Sequence, residues 1–280
     1  KASEESGVAV AVAVTGALLG VPAVMASENW AEDDRSNRYT AVEMAKKLSD
    51  TYSKEICLLS IANNESDEER CQGYLNAYKT KLAEKSIFAD TTVVPSADEF
   101  TSTIEAAEAS MLVFEITPNS SIRKMLKLCR ELRTPYFFCK PGMKIAFDKI
   151  LVPVNYLIEE REKGPFSSSF GRFFKSKIML MTAKDYGSKA KETTEAIATL
   201  LDHAGVEHTR VEAKKDSFKI EFEAVEKSAE LGADLLICSA SRDYGLDDIV
   251  FGPKEQKVLK KSNIPVMLIN PRGDLYSLCG

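Results

Sequence analysis

Between the apolar runs Leu235–Cys238 and Pro265–Asn270 lies the polar loop SRDYGLDDIVFG, Ser241–Gly252, followed by the amphipathic segment KEQKVLKKS. The chemistry open to this loop is anion holding. Arg242, Lys254 and the hydroxyls of Ser239 and Ser241 are donors suited to a phosphate or carboxylate, the guanidinium most of all. Gly245 and Gly252 give the backbone freedom to turn amides toward an anion. Asp243, Asp247 and Asp248 share the loop and either repel an anion or pair with Arg242. A long loop between a buried strand and a helix sits over a sheet end, where ligands usually bind.

Other chemistries find little support. Of the six cysteines none forms a CxxC pair, and Cys57, Cys139 and Cys238 lie inside apolar strand-like runs, where a thiol behaves as a small hydrophobe. That usage suits a reducing cytoplasm. The two histidines, His203 and His208, fall outside the predicted strand ends, so neither a Cys/His nucleophile nor a His/Cys metal site is expected. There is no GxxxxGK[ST] phosphate loop, and the plentiful carboxylates read as helix-surface charges. A non-enzymatic chain is the expectation.

A second stretch, EEREKGPFSSSFGRFF from Glu159 to Phe174, holds a Gly-Pro break, three serines and four phenylalanines. It reads either as an anion or partner site with Ser167–Ser169 near a helix start, or as a serine-capped short helix whose phenylalanines enter the core; the second reading is preferred.

Periodicity supplies the elements that position these groups. In the first half, strands are expected at Lys54–Ala62, Thr91–Pro95, Met111–Thr117 and Pro135–Cys139. Helices are expected from Tyr39, through Tyr74 and Leu82, over Phe100–Ala109 with Ile104 and Ala107 inward, and along Ile122–Leu132. The apolar Gly7–Met25 follows acidic residues instead of a basic leader, and its Val/Ala run favours buried strand over a membrane span. In the second half the strands are Asp148–Val154, Ser176–Ala183, Val206–Glu212, Leu235–Cys238 and Pro265–Asn270. Its helices are Ser188–Ala204, with Ile197, Leu200, Leu201 and Ala204 inward, then Phe218–Leu231 and Pro253–Lys261; Gly205 and Gly232 stop the first two. This alternation implies parallel, doubly wound sheets with right-handed crossovers.

A chain of 280 residues with 44% hydrophobic content is long enough for two cores. Its net charge of -5 argues against a nucleic-acid or anionic-lipid surface, and the basic residues between Arg123 and Arg133 read as a solvated helix face.

The halves are copies of each other. KEICLLSIA faces SKIMLMTAK, EAAEASMLVFEIT faces EKSAELGADLLICSA, and TPYFFCK faces IPVMLIN. The second copy, with KILVPV, AELGADLLI, GLDDIVFG and IPVMLI, resembles the universal stress protein (UspA-like) family. The resemblance implies two five-stranded, adenine nucleotide alpha hydrolase-like domains in tandem, at 1–142 and 143–280, forming an internal pseudo-dimer that can also pair as a homodimer.

The same resemblance implies where ATP is held. Asn155 stands where ATP-binding members carry an Asp, and Ser239, Arg242, Gly252 and Pro253 stand at the Gly, Gly, Gly and Ser/Thr positions of the phosphate loop. Ser239 and Arg242 put side chains where backbone amides should converge, and Pro253 removes an N–H and a hydroxyl at a helix start. TPNSS, Thr117–Ser121, is too short to wrap a triphosphate in the first copy. The expectation is a cytoplasmic stress-response or regulatory module without a cofactor, acting through an unidentified protein partner. The alternatives are an ATP sensor using the second copy, and a soluble regulatory domain of a membrane transporter.

Overall fold

The structure, a computed structural model, describes residues 8–13, 40–62, 65–118, 120–241 and 253–272, the first of these as backbone. The expectations for Arg242, Asp243, Gly245, Asp247, Asp248 and Gly252 therefore lie outside the described residues, as does most of Gly7–Met25. The chain divides into two compact units, Lys1–Met143 and Lys144–Gly280.

In the first unit, strands β1 (Val8–Ala13), β2 (Glu55–Ile61), β3 (Asp90–Val94), β4 (Met111–Glu115) and β5 (Tyr136–Cys139) run parallel in the order β3-β2-β1-β4-β5. Helices α1 (Thr40–Tyr52), α2 (Glu65–Glu84), α3 (Phe100–Ala106) and α4 (Ile122–Cys129) are the connections. Helix α1 buries Ala41, Met44, Ala45 and Leu48, as their spacing predicts. Helix α4 starts where the Ser121 hydroxyl accepts the Lys124 amide, and its basic side chains stay exposed. Two expectations are corrected. Helix α3 stops at Ala106, because Glu108 adopts a left-handed φ of 49°, so Ala109 and not Ala107 reaches the core. Strand β4 ends at Glu115, short of Thr117, whose amide donates to the Ser120 hydroxyl in a turn.

The second unit repeats the plan. Strands β6 (Lys149–Val154), β7 (Lys177–Thr182), β8 (His208–Glu212), β9 (Leu235–Ser239) and β10 (Val266–Ile269) are parallel in the order β10-β9-β6-β7-β8. Its helices are α5 (Lys163–Phe173), α6 (Lys189–His203), α7 (Ile220–Leu231) and α8 (Lys254–Lys261). Strands β6 and β9 are apolar and buried on both faces, as parallel strands covered by helices must be, whereas the edge strand β8 is largely exposed. Gly205 and Gly232 end α6 and α7 with a φ of 65° each. On α6, Leu200 and Ala204 are only half-buried; Thr193, Thr194 and Ala198 share the inward face with Ile197 and Leu201.

The region Glu159–Phe174 departs most from expectation. No serine caps a helix there: a 3-10 turn, Ile158–Glu162, leads straight into α5, and Ser167–Ser169 sit in its middle. Pro165 does not break the helix because it occupies the first turn, where backbone N–H groups have no intrahelical acceptor. Phe170 is core, but Phe173 is exposed.

Candidate functional site

In each unit the winding reverses at the first and fourth strands, which is where an open α/β sheet leaves a crevice at its carboxyl edge. In the second unit these are β6 and β9. They pair at Ile150↔Leu235 and Leu151↔Leu236 and then separate, while β6 stays paired with β7 as far as Val154↔Thr182. Beyond the split lies a cleft of about 180 Å³, with Asn155 and Leu157 on one side and Ser239, Ala240 and Ser241 on the other.

Charged side chains converge on the split. Lys163, at the start of α5, is completely buried, and its ammonium donates to the Pro153 carbonyl (2.6 Å) and to Glu160 Oε2 (2.7 Å). A lysine thus takes a carbonyl at the end of β6 where β9 has moved away. Glu160 Oε2 also accepts the Asn155 amide at 3.1 Å. From α7, Glu221 forms an ion pair with Lys254 of α8. Burial pushes the Glu221 carboxyl above the usual range, opposed by the Lys254 ammonium. Glu255 is also buried, and its Oε1 accepts the Ser241 amide (2.6 Å) and the Ser241 hydroxyl (2.5 Å). Burial drives the Cys238 thiol far above its ordinary value, so it lines the cleft as an inert apolar group.

The same device recurs around the strand ends of this unit. Glu162 accepts the Arg272 amide at 3.0 and 2.9 Å. Glu223 accepts the amides of Lys214 and Lys215, and Asp185 accepts the amide and the hydroxyl of Ser217. In the first unit Glu115, at the end of β4, accepts the Ala41 amide at 2.9 Å in the first turn of α1, and burial raises its pKa. At these strand ends, backbone amides among the described residues are held by carboxylates of the chain itself.

Of the residues singled out from sequence, Asn155, Ser239 and Pro253 fall at this carboxyl edge. Asn155 is buried, and its Oδ1 accepts the Leu157 amide at 2.8 Å, closing a local turn. The Ser239 hydroxyl is buried and has no hydrogen-bond partner among the described residues. Pro253 is the extended residue before α8, with ψ 150°, and not its first helical residue. Arg242 and Gly252 lie outside the described residues. Ser241 and Lys254, expected as anion donors, are engaged by Glu255 and Glu221.

Sequence reasoning placed the carboxylates on helix surfaces; Glu160, Glu162, Glu221, Glu223 and Glu255 are instead buried. A signal was available. In a parallel α/β unit, the helix after a strand begins at that strand's carboxyl end, so first-turn acids arrive there, where the helix dipole also favours them. Among the described residues there is no group of three or more His, Cys, Asp or Glu able to hold a metal ion.

No protein-family model and no curated protein matches this sequence. Solved structures do. A universal stress protein from Archaeoglobus fulgidus superposes with a TM-score of 0.67 at 14% identity, covering 95% of this chain and 97% of its own. A functionally unknown protein from Pseudomonas aeruginosa gives a TM-score of 0.60 at 14% identity, covering 97% and 95%. The cytoplasmic domain of a prokaryotic cation chloride cotransporter gives 0.54 at 12% identity, covering 97% and 99%. At these identities the likeness is one of fold, and it agrees with the strand order and the division into two units: the chain has the α/β fold of the universal stress proteins, in tandem form.

Proposed function

We propose that the chain is a non-enzymatic binding module that acts through a protein partner and does not use ATP. The observation that supports this reading is the capture of Ser241 by Glu255. A nucleotide phosphate needs backbone amides, an open cradle and positive potential. Here the amide and hydroxyl beyond β9 are already bonded to a carboxylate, and Lys254 is neutralised by Glu221. The Ser239 side chain adds bulk where the loop pattern asks for glycine. Thermal unfolding with and without ATP and magnesium tests the reading. The expected result is an unchanged midpoint; clear stabilisation would favour an ATP sensor and defeat the proposal.

A second reading concerns where such a module works. The cotransporter cytoplasmic domain matches over nearly the whole length of both chains, which favours a regulatory region attached to a membrane transporter. No helix among the described residues is long and apolar enough to cross a membrane. Sequencing the frame on both sides of this segment decides between the attached and the free form.

A further inference from the structure

Beside the cleft the second unit exposes large apolar side chains. Tyr156, Leu157 and Ile158 follow β6 in succession and are 39%, 46% and 47% exposed, and Phe218, ahead of α7, is 71% exposed. They form one surface. The Tyr156 and Phe218 rings meet edge to face with centroids 6.2 Å apart, and the Tyr156 amide donates to the Ser217 hydroxyl at 3.0 Å. Leu157 joins this surface to the cleft, which it also lines. Single exposed apolar residues are ordinary, but a contiguous aromatic and aliphatic group next to a crevice marks an interaction site.

The cleft says what kind of chain fits. Glu160, Glu221 and Glu255 line the cleft, and among the described residues they outnumber the ammonium groups of Lys163 and Lys254, which pair with the first two. Among the described residues Glu255 has neutral donors and no ion-pair partner, although it is buried. The Ser239 hydroxyl, without a hydrogen-bond partner among the described residues, lines the same space and can accept a hydrogen bond.

We propose that the rim formed by Tyr156, Leu157, Ile158 and Phe218 docks a partner peptide segment that places one basic side chain, flanked by apolar residues, into the acidic cleft. Rim and cleft divide the work: apolar contact anchors the segment, and the carboxylates select its charge. The inference rests on the partner-binding reading above and names the partner's chemistry.

The test is retention of two pools of synthetic nonapeptides on the immobilised full chain, one with a central Phe-Arg-Phe and one with a central Phe-Glu-Phe, each within randomised flanks. The basic pool is expected to be retained about tenfold more than the acidic pool. Ile158→Ser and Phe218→Ser, exposed positions whose replacement spares the fold, are each expected to lower that retention, and Glu255→Gln to narrow the preference for charge. Equal retention of the two pools, retention of neither, or indifference to both rim variants overturns the proposal. Competition by free spermidine at the same concentration as a basic peptide also overturns it, since the occupant would then be a small amine. The thermal measurement with ATP and magnesium separates the two ideas. Stabilisation by ATP overturns both, whereas no stabilisation together with no peptide retention overturns the docking alone.

Discussion

Glu255 Oε1 holds both the backbone amide and the hydroxyl of Ser241, at 2.6 and 2.5 Å, and so ties the start of α8 to the residue that follows β9 and Ala240. Glu255→Ala leaves that amide and hydroxyl without their acceptor. A loss of about 1–3 kcal/mol is expected, the range for orphaned buried donors, read as a lower urea midpoint. Glu255→Gln keeps an amide oxygen in reach and should cost less. Equal losses for the two variants would mean that the side chain serves packing and not hydrogen bonding.

Lys163 gives the sharpest stability prediction. Lys163→Met removes the ammonium that donates to the Pro153 carbonyl and strips Glu160 of its partner, with both members of the pair buried. Breaking one side of a buried pair costs about 3–5 kcal/mol. The paired variant Lys163→Met with Glu160→Gln should recover part of that loss, because the uncompensated charge goes with it. Chemical denaturation of the single and double variants measures the coupling, and strictly additive losses would contradict the role given to the pair.

What was legible in the sequence and what was not follows from the physics of each residue. Apolar runs such as KILVPV and LLICS became strands at nearly the expected bounds, because burial on both faces leaves no other pattern. The glycine stops held because Gly205 and Gly232 adopt a conformation that side chains disfavour. The helix through Pro165 was missed because a proline reads as a break unless its place in the first turn is known. The burial of the carboxylates was not legible for a similar reason. Glu221 and Glu255 look like solvated charges along the chain, and only the sheet order brings them to the split between β6 and β9.

Glu223 links the fold to pH. Its burial opposes ionisation, but the amides of Lys214 and Lys215 and the Lys227 ammonium outweigh that and hold its carboxyl below the usual range. A folded-state pKa below the unfolded one adds stability that is present above the unfolded value and is lost as pH falls through the folded value. Glu223→Gln should therefore destabilise by about 1–3 kcal/mol at neutral pH. The gap between wild type and variant should shrink as the pH drops below the ordinary carboxylate range. Unfolding midpoints at neutral and acidic pH measure it, and a gap that widened in acid would reverse the sign argued here.

Gly171 tests how tightly α5 is packed in the second unit. A Cβ at this position would lie 2.1 Å from Val206 Cγ1, 2.8 Å from Cγ2 and 3.0 Å from Cβ. Val206 has little room to yield. It is buried, its side chain is branched at Cβ, and its amide donates to the Leu201 carbonyl at 2.9 Å just after the left-handed Gly205. Alanine is the better helix former, so propensity alone would make Gly171→Ala stabilising. The steric conflict opposes that and should win, with a net loss of about 1–3 kcal/mol. The second substitution decides the cause. Val206→Ala alone opens a small cavity and is destabilising, yet in the Gly171→Ala background it removes the two closest contacts, those of Cγ1 and Cγ2, and should cost much less. Urea denaturation of the four proteins gives the coupling directly. If the two losses simply added, α5 would have moved to accommodate the methyl group, and the close approach of Gly171 to Val206 would not be what fixes the helix in place.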